Sequence, residues 1–166
     1  WRQASRFAIP TMFFINKMDR PGADFERALS TIRGRLGVEP VPVTVPVDGG
    51  VLHLLDECFL RFEGEMGEEV VSEPVPARYQ SLYDEQREAL LLALGDYDEE
   101  IADAALMGEP VDRERVVRVL RACCLERQLF PALGGSALRN QGVQPVIDAV
   151  IGLLPSPMDC KAVQGT

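Results

Sequence analysis

Four consecutive residues stand out for the chemistry they can do: Asn16, Lys17, Met18 and Asp19. A carboxamide, a long cation, a filler and a carboxylate follow an apolar run from Thr11 to Ile15, which suits a short buried strand. An ionised Asp19 can accept from two donors at once, such as N1–H and the 2-amino group of guanine. That two-pronged, charge-assisted contact is short and strong. Adenine offers no matching donor pair, and sites of this kind reject the wrong partner by roughly 10⁴-fold or more. Asn16 can donate toward the opposite edge of the base or tie neighbouring loops together. Lys17 can lay its apolar stem along the ring or sugar and keep its ammonium in water. Three fixed residues make a pattern of limited specificity. A capping Asn and a surface Lys–Asp pair after a strand fit the same letters.

A second turn has matching character. Gly135, Ser136 and Ala137 follow the apolar segment Leu129-Phe130-Pro131-Ala132-Leu133, which reads as another short strand. Small residues let the backbone come close to a planar ligand. A backbone N–H of Ser136 or Ala137 could donate to guanine O6, an acceptor that adenine lacks, and the Ser136 hydroxyl could brace Asp19. Alone this is an ordinary Gly-Ser turn. Paired with the first motif at a matching strand end, it favours a base-reading site, because open α/β sheets place ligands at the carboxyl ends of their strands.

The elements that must position these turns are legible in part. Arg20-Pro21-Gly22-Ala23 is a turn, and Asp24 can cap a helix carrying Phe25, Ala28, Leu29, Ile32 and Leu36 to Gly37. Valines alternate over residues 41–47, a strand whose Pro42 and Pro46 favour a sheet edge. Residues 51–60 are apolar and fit helix or strand. Residues 61–76 read as a small hairpin or irregular strand pair with a charged surface. From residue 77 the period turns helical: Leu82, Gln86, Ala89, Leu90, Ala93 and Leu94 share one face, with Asp84, Glu85 and Glu88 largely off it. Asp96-Tyr97-Asp98-Glu99 resembles a capping box for a second helix to about Met107, and Asp112 caps a third. Residues 143–154 form an amphipathic helix with Pro145 in its first turn. Its expected buried face is Val146, Ile147, Val150, Ile151 and Leu154.

Composition narrows the function classes. The chain has 166 residues, 46% of them hydrophobic, enough for one domain with a subdomain. The net charge of −9, from 26 acids and 17 bases, argues against a segment that holds nucleic acid directly, while leaving room for a basic protein partner. No apolar run is long enough to span a membrane. The first residue is Trp1, and Trp1-Arg2-Gln3-Ala4 reads like the end of a helix, so an excerpt of a longer chain is expected. Cys58, Cys123, Cys124 and Cys160 form no C-x-x-C pair and His53 stands alone, which argues against zinc. Free thiols among core residues suit a reducing compartment.

With these blocks assembled, a resemblance appears. Phe14-Ile15-Asn16-Lys17-Met18-Asp19-Arg20-Pro21-Gly22-Ala23-Asp24-Phe25 resembles the fourth guanine-nucleotide motif of the elongation factor G family and its flank. Gly135-Ser136-Ala137-Leu138-Arg139-Asn140-Gln141-Gly142-Val143-Gln144-Pro145 resembles the fifth motif and the helix after it, and Leu154-Pro155-Ser156-Pro157 resembles the end of the G domain. The resemblance implies an α/β fold, the C-terminal part of a P-loop GTPase-type G domain with a mainly helical insert subdomain. Residues 1–48 and 129–155 would be core, 49–128 the insert, and 156–166 the start of a linker. It implies GTP and GDP as ligands of Asn16, Lys17, Asp19, Gly135, Ser136 and Ala137. It also implies a translational GTPase that drives translocation on the ribosome, with ribosome recycling as an alternative. An insert helix at residues 79–94 would meet the ribosomal stalk protein, through Asp84, Glu85 and Glu88.

Two departures qualify the likeness. The region after Asp48 is shorter than the family pattern, so a reduced insert sheet is expected. The P-loop, both switches and the Mg²⁺ ligands do not occur in the chain, and hydrolysis needs them. Mg²⁺ is therefore expected only through upstream residues. Phe62-Glu63-Gly64-Glu65-Met66-Gly67-Glu68 is similar to bacterial and mitochondrial members alike. Only Lys17 and Lys161 among the 17 bases are lysines, an arginine bias that favours a bacterial cytoplasm over a mitochondrial matrix. Two rival readings remain: an acidic interaction module with a vestigial nucleotide site, and an unrelated α/β enzyme with chance motifs. The unrelated enzyme would lack adjacency of Asp19 and Ser136.

Overall fold

The computed structural model describes residues 1–156 and 159. A short helix α1 (Arg2–Arg6) leads to strand β1 (Phe13–Ile15) and helix α2 (Phe25–Leu36). Asp24 caps α2 by accepting from the Arg27 N–H at 2.9 Å, and Gly37 ends it in the left-handed region at φ 65°. Next come β2 (Pro40–Pro42), β3 (Thr44–Val47), β4 (Gly50–His53), β5 (Cys58–Glu63) and β6 (Glu69–Glu73). Three helices follow, α3 (Gln80–Gly95), α4 (Glu99–Met107) and α5 (Arg113–Leu125). Asp98 and Asp112 cap the last two, accepting from Ile101 N–H and Arg115 N–H at 3.0 and 3.1 Å. Strand β7 (Phe130–Gly134) and helix α6 (Val143–Leu153) complete the described chain.

The strands form two sheets. Three are parallel in the order β1-β7-β2, and four form an antiparallel meander, β3-β4-β5-β6. The alternating valines are thus not one strand. The chain changes sheets at Val43, whose N–H donates to Ala132 O at 2.7 Å while its carbonyl accepts from Leu54 N–H at 2.9 Å. Pro42 and Pro46 still sit where a missing donor is tolerated, because β2 and β3 are both edge strands. The ambiguous segment 51–60 is extended, and 61–76 holds the hairpin of β5 and β6. The interval 49–128 therefore holds three strands of a four-stranded sheet, whose first strand β3 lies before residue 49.

Three expectations about faces change. Strand β1 is half-buried rather than buried, because it is the outer strand of its sheet. Helix α3 buries Tyr83, Arg87, Leu90 and Leu94, with Ala89 exposed. Arg87 can go inside because its guanidinium donates to Leu54 O and to Glu57 Oε1, both at 2.8 Å. Helix α6 buries Pro145, Ala149 and Leu153, leaving Ile147, Val150 and Ile151 exposed. Its apolar residues encircle the helix, so periodicity alone did not select the inward face. Leu52, Leu54, Leu90, Leu120 and Leu133 are fully covered within one continuous core that joins both sheets and the helices. Each contributes about 1.5–3 kcal/mol by leaving water. Cys123 and Cys124 are buried, and burial pushes both thiols up to about 11. Cys160 and most of the proposed linker lie outside the described residues.

Candidate functional site

The parallel pairing of β1 with β7 sets Ile15 opposite Gly134, so the turns that follow leave neighbouring strand ends together. The backbone stitches them further: Gly135 N–H donates to Ile15 O at 3.1 Å and Met18 N–H donates to Gly135 O at 3.0 Å. The Asn16 carboxamide completes the join. Its Oδ1 accepts from Lys17 N–H at 2.7 Å and from Ala137 N–H at 2.9 Å. Of the two roles open to Asn16, the oxygen takes the loop-tying one. Lys17 is held in the left-handed region at φ 66°, a conformation that costs a non-glycine residue on the order of 1 kcal/mol and often marks a functional turn.

Asp19 and Ser136 are brought together. The Ser136 hydroxyl is the main influence holding the Asp19 carboxyl below the usual carboxylate range, ahead of the Arg139 and Arg20 cations. Yet Ser136 Oγ is fully buried and completes no well-formed hydrogen bond. Arg139 Nε stands 3.3 Å from Asp19 Oδ2. Sequence reasoning assigned no role to Arg139. Its signal was a lone cation three residues beyond Ser136, too weak to read without knowing that the turns meet.

The loop 136–141 is closed on itself, since Ser136 and Gln141 exchange N–H···O bonds of 2.9 and 3.0 Å. A side chain on Gly135 would put its Cβ 2.2 Å from Gln141 O, which fixes glycine there. One expectation changes: the Ser136 N–H is engaged by Gln141 O and the Ala137 N–H by Asn16 Oδ1, so both candidate donors to guanine O6 have internal partners. The closed loop and the Asn16 tie use them. Beside the turns lies a cleft of about 740 Å³, whose wall includes Asp19, Asp24, Glu26, Asp48, Ser136 and Arg139.

Asp84, Glu85 and Glu88 are exposed on α3 and do not line that cleft. Asp84 accepts from Gln80 Nε2 at 2.8 Å. Among the described residues no group of three His, Cys, Asp or Glu side chains could hold a metal ion. Among the described residues no helix is long and apolar enough to cross a membrane.

The family described as the elongation factor Tu GTP binding domain matches residues 1–156. Elongation factor G 2 of Desulfotalea psychrophila is 40% identical over 171 residues, covering 99% of this chain and 25% of that protein. A crystal structure of a Thermus thermophilus protein superposes with a TM-score of 0.80 at 26% identity, over 96% of this chain and 24% of that one. The chain thus spans about a quarter of the length of the curated relative it matches. It belongs to the elongation factor Tu GTP-binding domain family and is similar in sequence to an elongation factor G.

Proposed function

We propose that this chain reads the guanine base of GTP and GDP for an elongation factor that drives ribosomal translocation. Asp19 accepts from N1–H and the 2-amino group, Lys17 covers the ring with its stem, and Asn16 locks the two turns together. Gly135, Ser136 and Ala137 form the second wall. The single observation that carries this reading is the Asn16 tie to Ala137 at 2.9 Å, which sets a carboxylate and a small-residue loop at adjacent parallel strand ends. A buried hydroxyl beside that carboxylate favours its ionised form, which has both oxygens free to accept. The same adjacency speaks against chance motifs on an unrelated enzyme.

The other roles follow from the family. The 166 residues alone contain no P-loop or switch sequence, so by themselves they neither hydrolyse GTP nor hold it tightly. Mg²⁺ is bound through residues elsewhere in the intact factor. The ribosome is the partner, and the exposed Asp84, Glu85 and Glu88 offer a basic patch of its stalk protein a docking face. The compartment is the bacterial cytoplasm.

The test is equilibrium competition on the intact factor loaded with a fluorescent GDP. Unlabelled GDP and GTP are expected to displace it at similar concentrations, with ATP at least about 10³-fold weaker. Equal displacement by ATP would overturn the reading.

A further inference from the structure

The turn between β5 and β6 is exposed at Gly64, Glu65, Met66 and Glu68 but buried at Gly67. What covers Gly67 is the base-reading loop. Its carbonyl accepts from Asn140 Nδ2 and from Gln144 Nε2, both at 3.3 Å. The fit is close. Gly67 sits at φ +64°, and a Cβ there would stand 2.5 Å from Arg139 O. The turn is preformed for this contact: Gly67 N–H reaches Gly64 O at 3.4 Å, and Glu68 Oε2 accepts from Met66 N–H at 2.8 Å. On the other side, Asn140 and Gln144 flank the closure of loop 136–141. Gln144 leaves its own Oε1 buried without a partner, so its amide is placed there for its donor end.

We infer that this hairpin tip is a clasp on the base-reading loop, with Gly67, Asn140 and Gln144 as positioning residues for the bound guanine nucleotide. The inference rests on the proposed function. None of the three is assigned to touch the base; they act through Ser136 and Ala137, whose loop they hold against the insert sheet. The clasp also joins the antiparallel sheet to the nucleotide site by a direct contact. A partner that moves the hairpin thereby changes nucleotide release, and the nucleotide in turn steadies the hairpin, because coupling is reciprocal.

The experiment uses the intact factor and fluorescent GDP in stopped flow. Asn140→Gly keeps the left-handed backbone that Asn140 adopts at φ 54° while removing the donor. Combined with Gln144→Ala, it is expected to speed GDP dissociation roughly five- to thirtyfold, with association little changed. Gly67→Ala should do the same by forcing the tip away. Hydrogen exchange supplies a readout that a merely structural role would not move: GDP should slow exchange of the 64–69 amides in the wild type and not in the double variant. A lowered melting temperature with dissociation within twofold of wild type would overturn the clasp. Asp19→Asn run in parallel separates the two ideas. If Asp19→Asn alters base preference while the clasp variants release GDP normally, the clasp fails alone. If Asp19→Asn also changes nothing, the proposed function fails with it.

Discussion

The parallel and antiparallel sheets of this chain treat their polar groups in opposite ways. Around the antiparallel sheet and its helices, charges are closed on one another. Arg87 is buried against Leu54 O and Glu57. Arg61 joins Glu63 on its own strand β5 and Glu73 on the edge strand β6, and Arg115 grips the Asp98 carboxylate with two bonds of 2.9 Å while also reaching Glu100. At the ends of the parallel strands the pattern reverses. Ser136 Oγ is buried without a well-formed bond, and Asp19 meets Arg139 at a loose 3.3 Å. One region satisfies itself, while the other leaves groups with loose or missing partners. Unpaired buried polar groups are rare where only stability is selected, and they gather at ligand sites.

This contrast is open to attack from the self-satisfied side first. Arg87→Ala strands the buried Leu54 carbonyl and removes the partner of a half-exposed Glu57, so it should lower stability by about 1–3 kcal/mol in urea denaturation. Base preference should be untouched wherever the protein remains folded. A stable variant with altered nucleotide preference would blur the division between the regions.

A smaller effect is expected at the exposed acids of α3. Changing Asp84, Glu85 and Glu88 together to Lys should leave the unfolding midpoint nearly unchanged and slow association with ribosomes by roughly tenfold at low salt. The difference should shrink as salt screens it. Equal association rates at low salt would make them a solvated face only.

The smallest effect concerns His53, which feels the charges of Asp56, Arg113 and Asp148, with Nδ1 accepting from Asp56 N–H at 3.1 Å. Burial lowers its folded pKa below the ordinary 6.5, ahead of the opposing pull of Asp56. The unfolded chain therefore binds the proton more readily. Stability from the neutral ring is complete above about pH 6.5 and declines as pH falls toward the folded pKa. His53→Gln keeps an acceptor and should flatten that part of the profile between about pH 7.5 and about pH 5.5, measured as the difference in melting temperature. An identical slope in wild type and variant would contradict it.

Much of this was legible in the sequence where local rules act alone. The caps Asp24 and Asp112 and the stop at Gly37 are short-range devices that form as their spacing implies, whereas in Asp96-Tyr97-Asp98-Glu99 the cap is Asp98 and Asp96 closes the preceding helix. The pairing of the two turns was legible as well, because each follows an apolar strand with ligand-facing residue types. What failed needed the tertiary partner. Nothing in 41–47 marks Val43 as the point where the chain changes sheets; the positions of Ala132 and Leu54 decide it. Arg87 reads as surface until Leu54 O and Glu57 are seen beside it. Helix α6 has too many apolar positions for period to choose the inward ones. The Ser136 and Ala137 N–H groups looked free because the closure to Gln141 and the Asn16 tie are contacts of folded loops.

The central claim is that Asp19 reads guanine, and changing what it can donate tests this most directly. In the intact factor Asp19→Asn exchanges an acceptor for an amide that can donate to the 2-oxo group of xanthine. Competition binding with GTP and XTP should show preference moving from GTP to XTP by on the order of 10²-fold or more. A variant that still prefers GTP as strongly as the wild type would contradict the account.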